Sequence, residues 1–240
     1  MDWRYKVATF IKEDSLSPSG KVIYKKGTPV TVSTFAKYKN LDVGFGDPSA
    51  PALFLNQAYK AFETAKELNP FIANTPISVS NDSTARIFDY LEAICASIIF
   101  AHTALEAFTN EEIPDNFVYE KEETTESGIV VLRQYDKEQT ERKFSLSEKL
   151  ASVLPKALNI PSPKGKKLWS GFVHLRKLRD RIIHLKSKDQ AHSKHGNMHP
   201  ESIWTDLLDP NQRHYPSVVK SMILHFKPKD SVHWLKYCPF

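Results

Sequence analysis

The stretch Leu175-Arg176-Lys177-Leu178-Arg179-Asp180-Arg181-Ile182-Ile183-His184-Leu185 places its stripe of leucine and isoleucine at 175, 178, 182 and 185. Spacings of three, four and three belong to one face of an α-helix and rule out the alternation of a half-buried strand. At ~100° per residue, Arg179, Asp180 and His184 fall outside that stripe on an arc of about 140°, and Arg176 shares it. Asp180 and His184 are four apart and can touch, as can Arg176 and Asp180. A carboxylate beside an imidazole fixes its tautomer and favours its charged form. The polar arc must face solvent, a second helix or a partner subunit. A solvated face with a single ion-pair ladder is the plainer alternative.

Ser162-Pro163 reads as the start of this helix, serine as cap and proline in the first turn, and the helix is expected to run to about Lys188. Between Lys164 and Lys188 stand Lys164, Lys166, Lys167, Arg176, Lys177, Arg179, Arg181, Lys186 and Lys188 against the single acid Asp180. This is the most basic window of a 240-residue chain whose formal net charge is +5. With 33 basic and 28 acidic residues, the balance permits a polyanionic partner without requiring one.

Upstream, Leu53, Leu55, Ala58, Tyr59, Phe62, Ala65 and Leu68 predict a helix from Pro51 to Asn69. A longer helix, from about Thr84 to Glu112 with Asp82 or Ser83 as its cap, is apolar around most of its circumference from Leu91 to Leu105. That marks it as the central core helix. Ser145-Leu146-Ser147-Glu148 is a capping box opening a helix that runs to about Asn159. Shorter helices are expected near Ile203–Leu208 and over Ser217–Phe226. Residues 1–46 differ: Tyr5, Val7 and Thr9, then Val22 and Tyr24, then Val30 and Val32 alternate between turn-like segments, which predicts a small β-ribbon. Phe117-Val118-Tyr119 and Gly128-Ile129-Val130-Val131-Leu132 are expected to pair as a hairpin, with the acidic residues Glu120 to Glu126 at its tip. The fold class is therefore mainly α, with a β-rich segment over 1–46, a helical domain over 47–240 and an insertion at about 115–144.

Other classes drop out. Only two cysteines are present, Cys95 and Cys238, so a disulfide scaffold is not expected and a reducing, cytoplasmic setting is. Met1-Asp2-Trp3-Arg4-Tyr5-Lys6 has no apolar core of a leader peptide, and the run from Ile94 to Ala101 falls short of the ~20 residues of a membrane span. No phosphate loop, dinucleotide fingerprint or zinc-protease motif occurs, and no cofactor is expected. His192, His195 and His199 have metal-like spacing but no evident fourth ligand; a basic RNA-contacting loop and an inert loop are the competing readings, and no metal is assigned.

The segment Leu178-Arg179-Asp180-Arg181-Ile182-Ile183-His184 resembles the RxxxxH signature of the HEPN (higher eukaryotes and prokaryotes nucleotide-binding) superfamily, in which the residue after arginine is often polar, as Asp180 is here. Ala104-Leu105-Glu106-Ala107-Phe108-Thr109-Asn110-Glu111 is similar to an upstream family helix with acidic and polar positions. The likeness covers about residues 50–226. It implies a four-to-five-helix bundle and, in many members, metal-independent ribonuclease activity in toxin or phage-defence roles. Members commonly dimerise so that two motif helices share one cleft. Carried onto this chain, it makes Arg179 and His184 catalytic and Asp180 the residue that orients the imidazole. Glu106, Asn110 and Arg176 would support them, and Lys177, Arg181, Lys186 and Lys188 would contact RNA.

The chemistry is self-consistent. Cleavage without metal needs a base for the 2′-hydroxyl, an acid for the leaving 5′-oxygen and positive charge on the phosphorane. Imidazole can serve as base or acid, and guanidinium clamps phosphate oxygens. One histidine per chain supplies both proton roles only if two copies meet, so a homodimer is expected, with an antitoxin or regulatory protein as a further partner. Glu106 has two readings: it orients Arg179 or Arg176 across a helix interface, or it pairs with His102 structurally. Two alternatives to an enzyme stand beside this reading. One is a non-catalytic HEPN-like module binding nucleotide, RNA or protein through the same face; the other is a dimeric structural module.

Overall fold

The computed structural model describes residues 2–73, 81–190, 200–228 and 232–240, with the backbone alone for 70–73. The chain divides into two compact units, Met1–Leu53 with Lys227–Phe240, and Phe54–Phe226. The expected boundary near residue 46 thus falls at Leu53, and the last residues group with the β-rich segment rather than with the helices.

In the first unit, β1 (Val7–Phe10) pairs with β4 (Pro29–Thr31), β2 (Ser15–Leu16) with β3 (Val22–Tyr24), and β5 (Ser33–Tyr38) with β6 (Leu41–Gly46), all antiparallel. Gly44 lies opposite Phe35, and a Cβ there would stand 2.9 Å from the Phe35 ring, so glycine lets the aromatic lie across the ribbon. In the same unit His233, which begins the short C-terminal helix His233–Tyr237, has its ring 6.2 Å from that of Phe10.

The second unit is helical. The first helix, α1 (Ala50–Ala73), is capped by Ser49 and buries Leu55, Ala58, Ala61 and Ala65. The central helix, α2 (Asn81–Glu112), buries Tyr90, Ile94, Ile98, Leu105 and Phe108 at helical spacing. It packs against α6 (Lys167–Ile183) and α8 (Tyr215–Phe226), which also pack against each other. Phe172, Leu175, Val219, Met222 and Ile223 fill that three-helix core with no solvent exposure. The apolar stretch of α2 is longer than the run read from sequence: an 18-residue window has mean hydropathy 1.5. By length and composition alone α2 could therefore cross a membrane, unlike the short run read from sequence, and half of that window is buried inside the protein.

The expected hairpin is present as β7 (Tyr119–Thr124) against β8 (Val130–Tyr135), shifted from the predicted pairing. Glu120, Glu122 and Glu123 lie in the strand β7, whose alternate side chains can face solvent, and only Glu126 is at the tip. The tip is Thr125–Ile129, with Gly128 at φ 82°. A helix not expected from sequence comes next, α3 (Lys137–Lys143), opened by a capping box between Asp136 and Gln139. The Tyr119 and Tyr135 rings meet Phe144 edge-on and anchor the hairpin to the end of α3.

Ser145 caps the next helix, its Oγ accepting from the Glu148 N–H, but the other half of the expected capping box is not formed, since the Glu148 carboxylate accepts from Lys121 Nζ at 2.6 Å. That helix comprises α4 (Leu146–Glu148), a π turn over Lys149–Val153 and α5 (Leu154–Leu158), and it ends on Asn159 in the left-handed conformation. Two other boundaries depart from expectation. Ser162 does not cap α6: it bonds the Ala151 carbonyl and the Lys164 N–H, and α6 starts five residues later with Lys166 as its cap residue. At its other end α6 stops at Ile183, short of Lys188. Residues 187–190 form a 3₁₀ turn held by Asp189, and α7 (Ile203–Leu207) lies beyond it.

Candidate functional site

The chemistry-bearing residues of α2, α6 and the π turn converge on one polar layer inside an otherwise apolar core. Its deepest member is Lys149, 1% exposed. The Lys149 Nζ donates to Asn110 Oδ1 at 2.9 Å and to the Glu141 carbonyl at 2.7 Å. Burial holds its ammonium below the usual lysine range, while the carboxylates of Glu106 and Glu141 oppose that shift. Asn110, expected in the site, is therefore the acceptor that makes a buried lysine tolerable.

His102 lies on the same helix, 4% exposed, and its Nδ1 has no hydrogen-bond partner among the described residues. Burial pushes its imidazole down to about 4; Arg179 and Arg176 add to the shift, against Glu106 and Asp180. His102 is thus neutral at pH 7. Glu106 is half-buried and forms neither the expected bond to Arg179 or Arg176 nor one to His102. It acts through space, on His102 and Lys149.

On α6, Arg176 Nη1 donates to Ser147 Oγ at 2.6 Å, and its Nε is buried without a partner among the described residues. It does not pair with Asp180. Arg179 does: its Nη1 donates to Asp180 Oδ1 at 2.9 Å, with the two side chains 31% and 48% exposed. Asp180 therefore serves the guanidinium and makes no bond to the His184 imidazole. The reason is the helix end. His184 is the residue after the last turn, at φ −118° and ψ 54°, which carries its side chain off the spiral on which residues four apart meet. The His184 ring is exposed and makes no hydrogen bond among the described residues. The apolar stripe is buried at Leu175 and Leu178, half-buried at Ile182 and 39% exposed at Leu185 just past the end of α6, where the neighbouring Ile183 is 51% exposed.

The four expected RNA contacts separate into two kinds. The side chains of Lys177, Lys186 and Lys188 are exposed and form no ion pair among the described residues. Arg181 is spent on structure: its Nε donates to Asp189 Oδ1 at 2.8 Å, its Nη2 to the Glu201 carbonyl at 2.7 Å, and it also pairs with Asp206. Asp189 is 1% exposed. Burial raises its carboxyl, but the bonds from Arg181 and the Lys186 N–H outweigh this and hold it below the usual carboxylate range. This clamp folds the chain back after His184 and so sets where α6 ends.

Sequence reasoning missed Lys149 and Ser147. A signal was present for the first, since residue 149 falls on the same helical face as Leu146, Leu150 and Val153, where an apolar residue is expected. His192, His195 and His199 lie outside the described residues. A separate, mainly apolar hollow, lined by Ile87, Phe88, Leu91, Cys95, Trp204 and Leu208 together with Glu92, contains none of the polar layer.

The buried imidazole makes stability depend on pH. Folded His102 binds its proton less readily than the unfolded residue, whose value is 6.5. Stability is thus intact above pH 6.5 and is lost as pH falls toward about 4, by up to roughly 3 kcal/mol. Urea denaturation of His102→Leu across that range should lose this part of the pH slope. Arg181→Ala should destabilise the protein by about 2–3 kcal/mol, by leaving Asp189 buried and unpaired. Lys177→Ala should stay within about 0.5 kcal/mol in the same measurement.

Compared with known proteins, the chain matches no family model, no curated protein and no solved structure, so its own side chains carry the functional reading.

Proposed function

We propose that the protein is a metal-independent endoribonuclease of the HEPN type, in which Arg179 and His184 act on RNA at the open end of α6. The observation that carries this reading is where the polar layer surfaces. Two buried groups, Lys149 and His102, together with the part-buried Asn110 and Arg176, back the half-exposed Arg179–Asp180 pair, and just past the end of α6 stands an imidazole with no hydrogen bond among the described residues. A core kept only for packing gains nothing from burying Lys149 of the π turn and His102 of α2.

In this reading the 2′-hydroxyl gives its proton to the imidazole of His184 and attacks the neighbouring phosphorus. The phosphorus–O5′ bond breaks, and the 5′-oxygen takes a proton from an imidazolium, His184 of the partner subunit. The products are a 2′,3′-cyclic phosphate and a 5′-hydroxyl. Arg179 spends one guanidinium nitrogen on Asp180; its Nε and Nη2 make no hydrogen bond among the described residues and are left to stabilise the phosphorane. Ile183 and Leu185, exposed beside His184, supply apolar area for a second copy to cover. A toxin or defence role would add a protein partner that restrains this activity.

A second reading, a non-catalytic module binding RNA, nucleotide or protein through this face, is favoured by one feature. Asp180 is engaged by Arg179, so among the described residues no carboxylate orients the imidazole. Incubating the purified protein with total RNA and with tRNA in EDTA separates the two. The ribonuclease reading expects cleavage that falls by about 10²-fold or more in both His184→Ala and Arg179→Ala. Folded wild type that binds RNA through these residues without cutting it would establish the binding module instead.

A further inference from the structure

At the opposite end of α6 from His184, the first turns of α6 and α8 border an open groove of about 700 Å³. Its polar lining is Lys166, Lys167, Arg213, His214, Ser217 and Ser221, with no carboxylate. Among the described residues, the side chains of Lys166, Lys167 and Arg213 form no ion pair or hydrogen bond. All three are exposed. Cations so placed repel one another, and in a helical protein they are ordinarily set against acids.

The backbone adds to the same field. Lys166 stands at the start of α6 with no side-chain cap, and neither α6 nor α8 has an acid in its first turn. A helix start carries partial positive charge and prefers an acid, yet lysines stand here. Just before α8 the imidazole of His214 accepts from the Ser217 N–H at 3.1 Å, and burial lowers its affinity for a proton. Gly171 brings the two helices together: a Cβ there would stand 3.2 Å from Val218 Cγ1. The floor of the groove is thus close-packed helix and its rim is cationic. The Ser217 hydroxyl is engaged by the His214 imidazole, so an arginine fork, two ammonium groups and the Ser221 hydroxyl are what match the oxygens of a phosphate.

We propose that this groove is a phosphate subsite that holds the backbone of a single-stranded RNA upstream or downstream of the cleaved bond. The assignment rests on the ribonuclease reading for the identity of the strand. The 17 residues of α6 span about 25 Å, so a strand stacked at the 3.4 Å rise of a duplex strand needs roughly seven nucleotides to engage both ends, and a more extended strand needs fewer. Lys177 is exposed on α6 between the two ends and lies within about 80° of Lys167 around the helix. The groove would thus set the length of RNA that binds well, while Arg179 and His184 set where it is cut.

The test is equilibrium binding of fluorescein-labelled single-stranded RNAs of four and twelve nucleotides, in EDTA, to full-length wild type, Lys167→Glu, Arg213→Glu and His184→Ala. Thermal melting confirms that each variant is folded. The groove predicts that the twelve-nucleotide RNA binds more tightly than the four-nucleotide one. Each charge reversal should weaken the longer RNA about tenfold and reduce the salt dependence of its binding. Twelve-nucleotide binding that is unchanged in both reversals overturns the proposal. Inorganic phosphate at matched ionic strength is the second probe. If it binds through Lys167 and Arg213 while RNA binding ignores them, the groove is a free-phosphate site and the RNA assignment is overturned. The result is separable from cleavage: reversals that abolish binding by a protein that never cuts RNA retain the groove and remove the ribonuclease reading.

Discussion

An ammonium group inside a helical core constrains everything around it. Lys149 is nearly without solvent contact, and a charge taken out of water costs several kcal/mol unless it is surrounded by acceptors. Two acceptors come from separate elements, the Asn110 side chain on α2 and the Glu141 carbonyl in α3. The register of α2 against the π turn, and the return of the chain from the hairpin through α3, must both be kept to supply them. The π turn belongs to the same arrangement, since such turns depart from the regular ladder and re-aim side chains.

The layer stays in electrostatic balance by keeping some members neutral. His102 sits near two arginines and gives up its proton, which avoids a third cation there. Glu106 lowers the cost of both His102 and Lys149 without touching either. What reaches the surface is a guanidinium–carboxylate pair and, beyond the helix end, an uncommitted imidazole. The Arg181–Asp189 clamp sets that end and hence the position of His184. A residue read from sequence as an RNA contact is instead what shapes the site.

Much of this was legible in the sequence because it depends on periodicity and caps. The core role of α2, the Ser145 cap and the existence of the hairpin all rest on local patterns. What failed depended on tertiary partners. The end of α6 is set by Asp189, which contributes no periodic signal, and with it went the expected Asp180–His184 bond. Ser162 had a better partner in the Ala151 carbonyl than at a helix start. The Asp136–Gln139 box of α3 was a local signal passed over inside a stretch read as strand and loop. Arg176 was read from the polar arc of α6, and Asn110 and Glu106 from the family resemblance; in the structure Asn110 meets Lys149, Arg176 meets Ser147, and Glu106 makes no hydrogen bond among the described residues. Their partners, Ser147 and Lys149, come from a third element that no spacing on α2 or α6 reveals.

If the free imidazole beside Arg179 acts on RNA as a base, the attacking group is the substrate's own 2′-hydroxyl. The most direct measurement is cleavage in EDTA of one RNA in two forms, unmodified and fully 2′-O-methylated. The mechanism predicts that the unmodified strand is cut to fragments ending in 2′,3′-cyclic phosphate and that the methylated strand, bound equally well, stays whole. Equal cutting of both strands, or none of either, would contradict it.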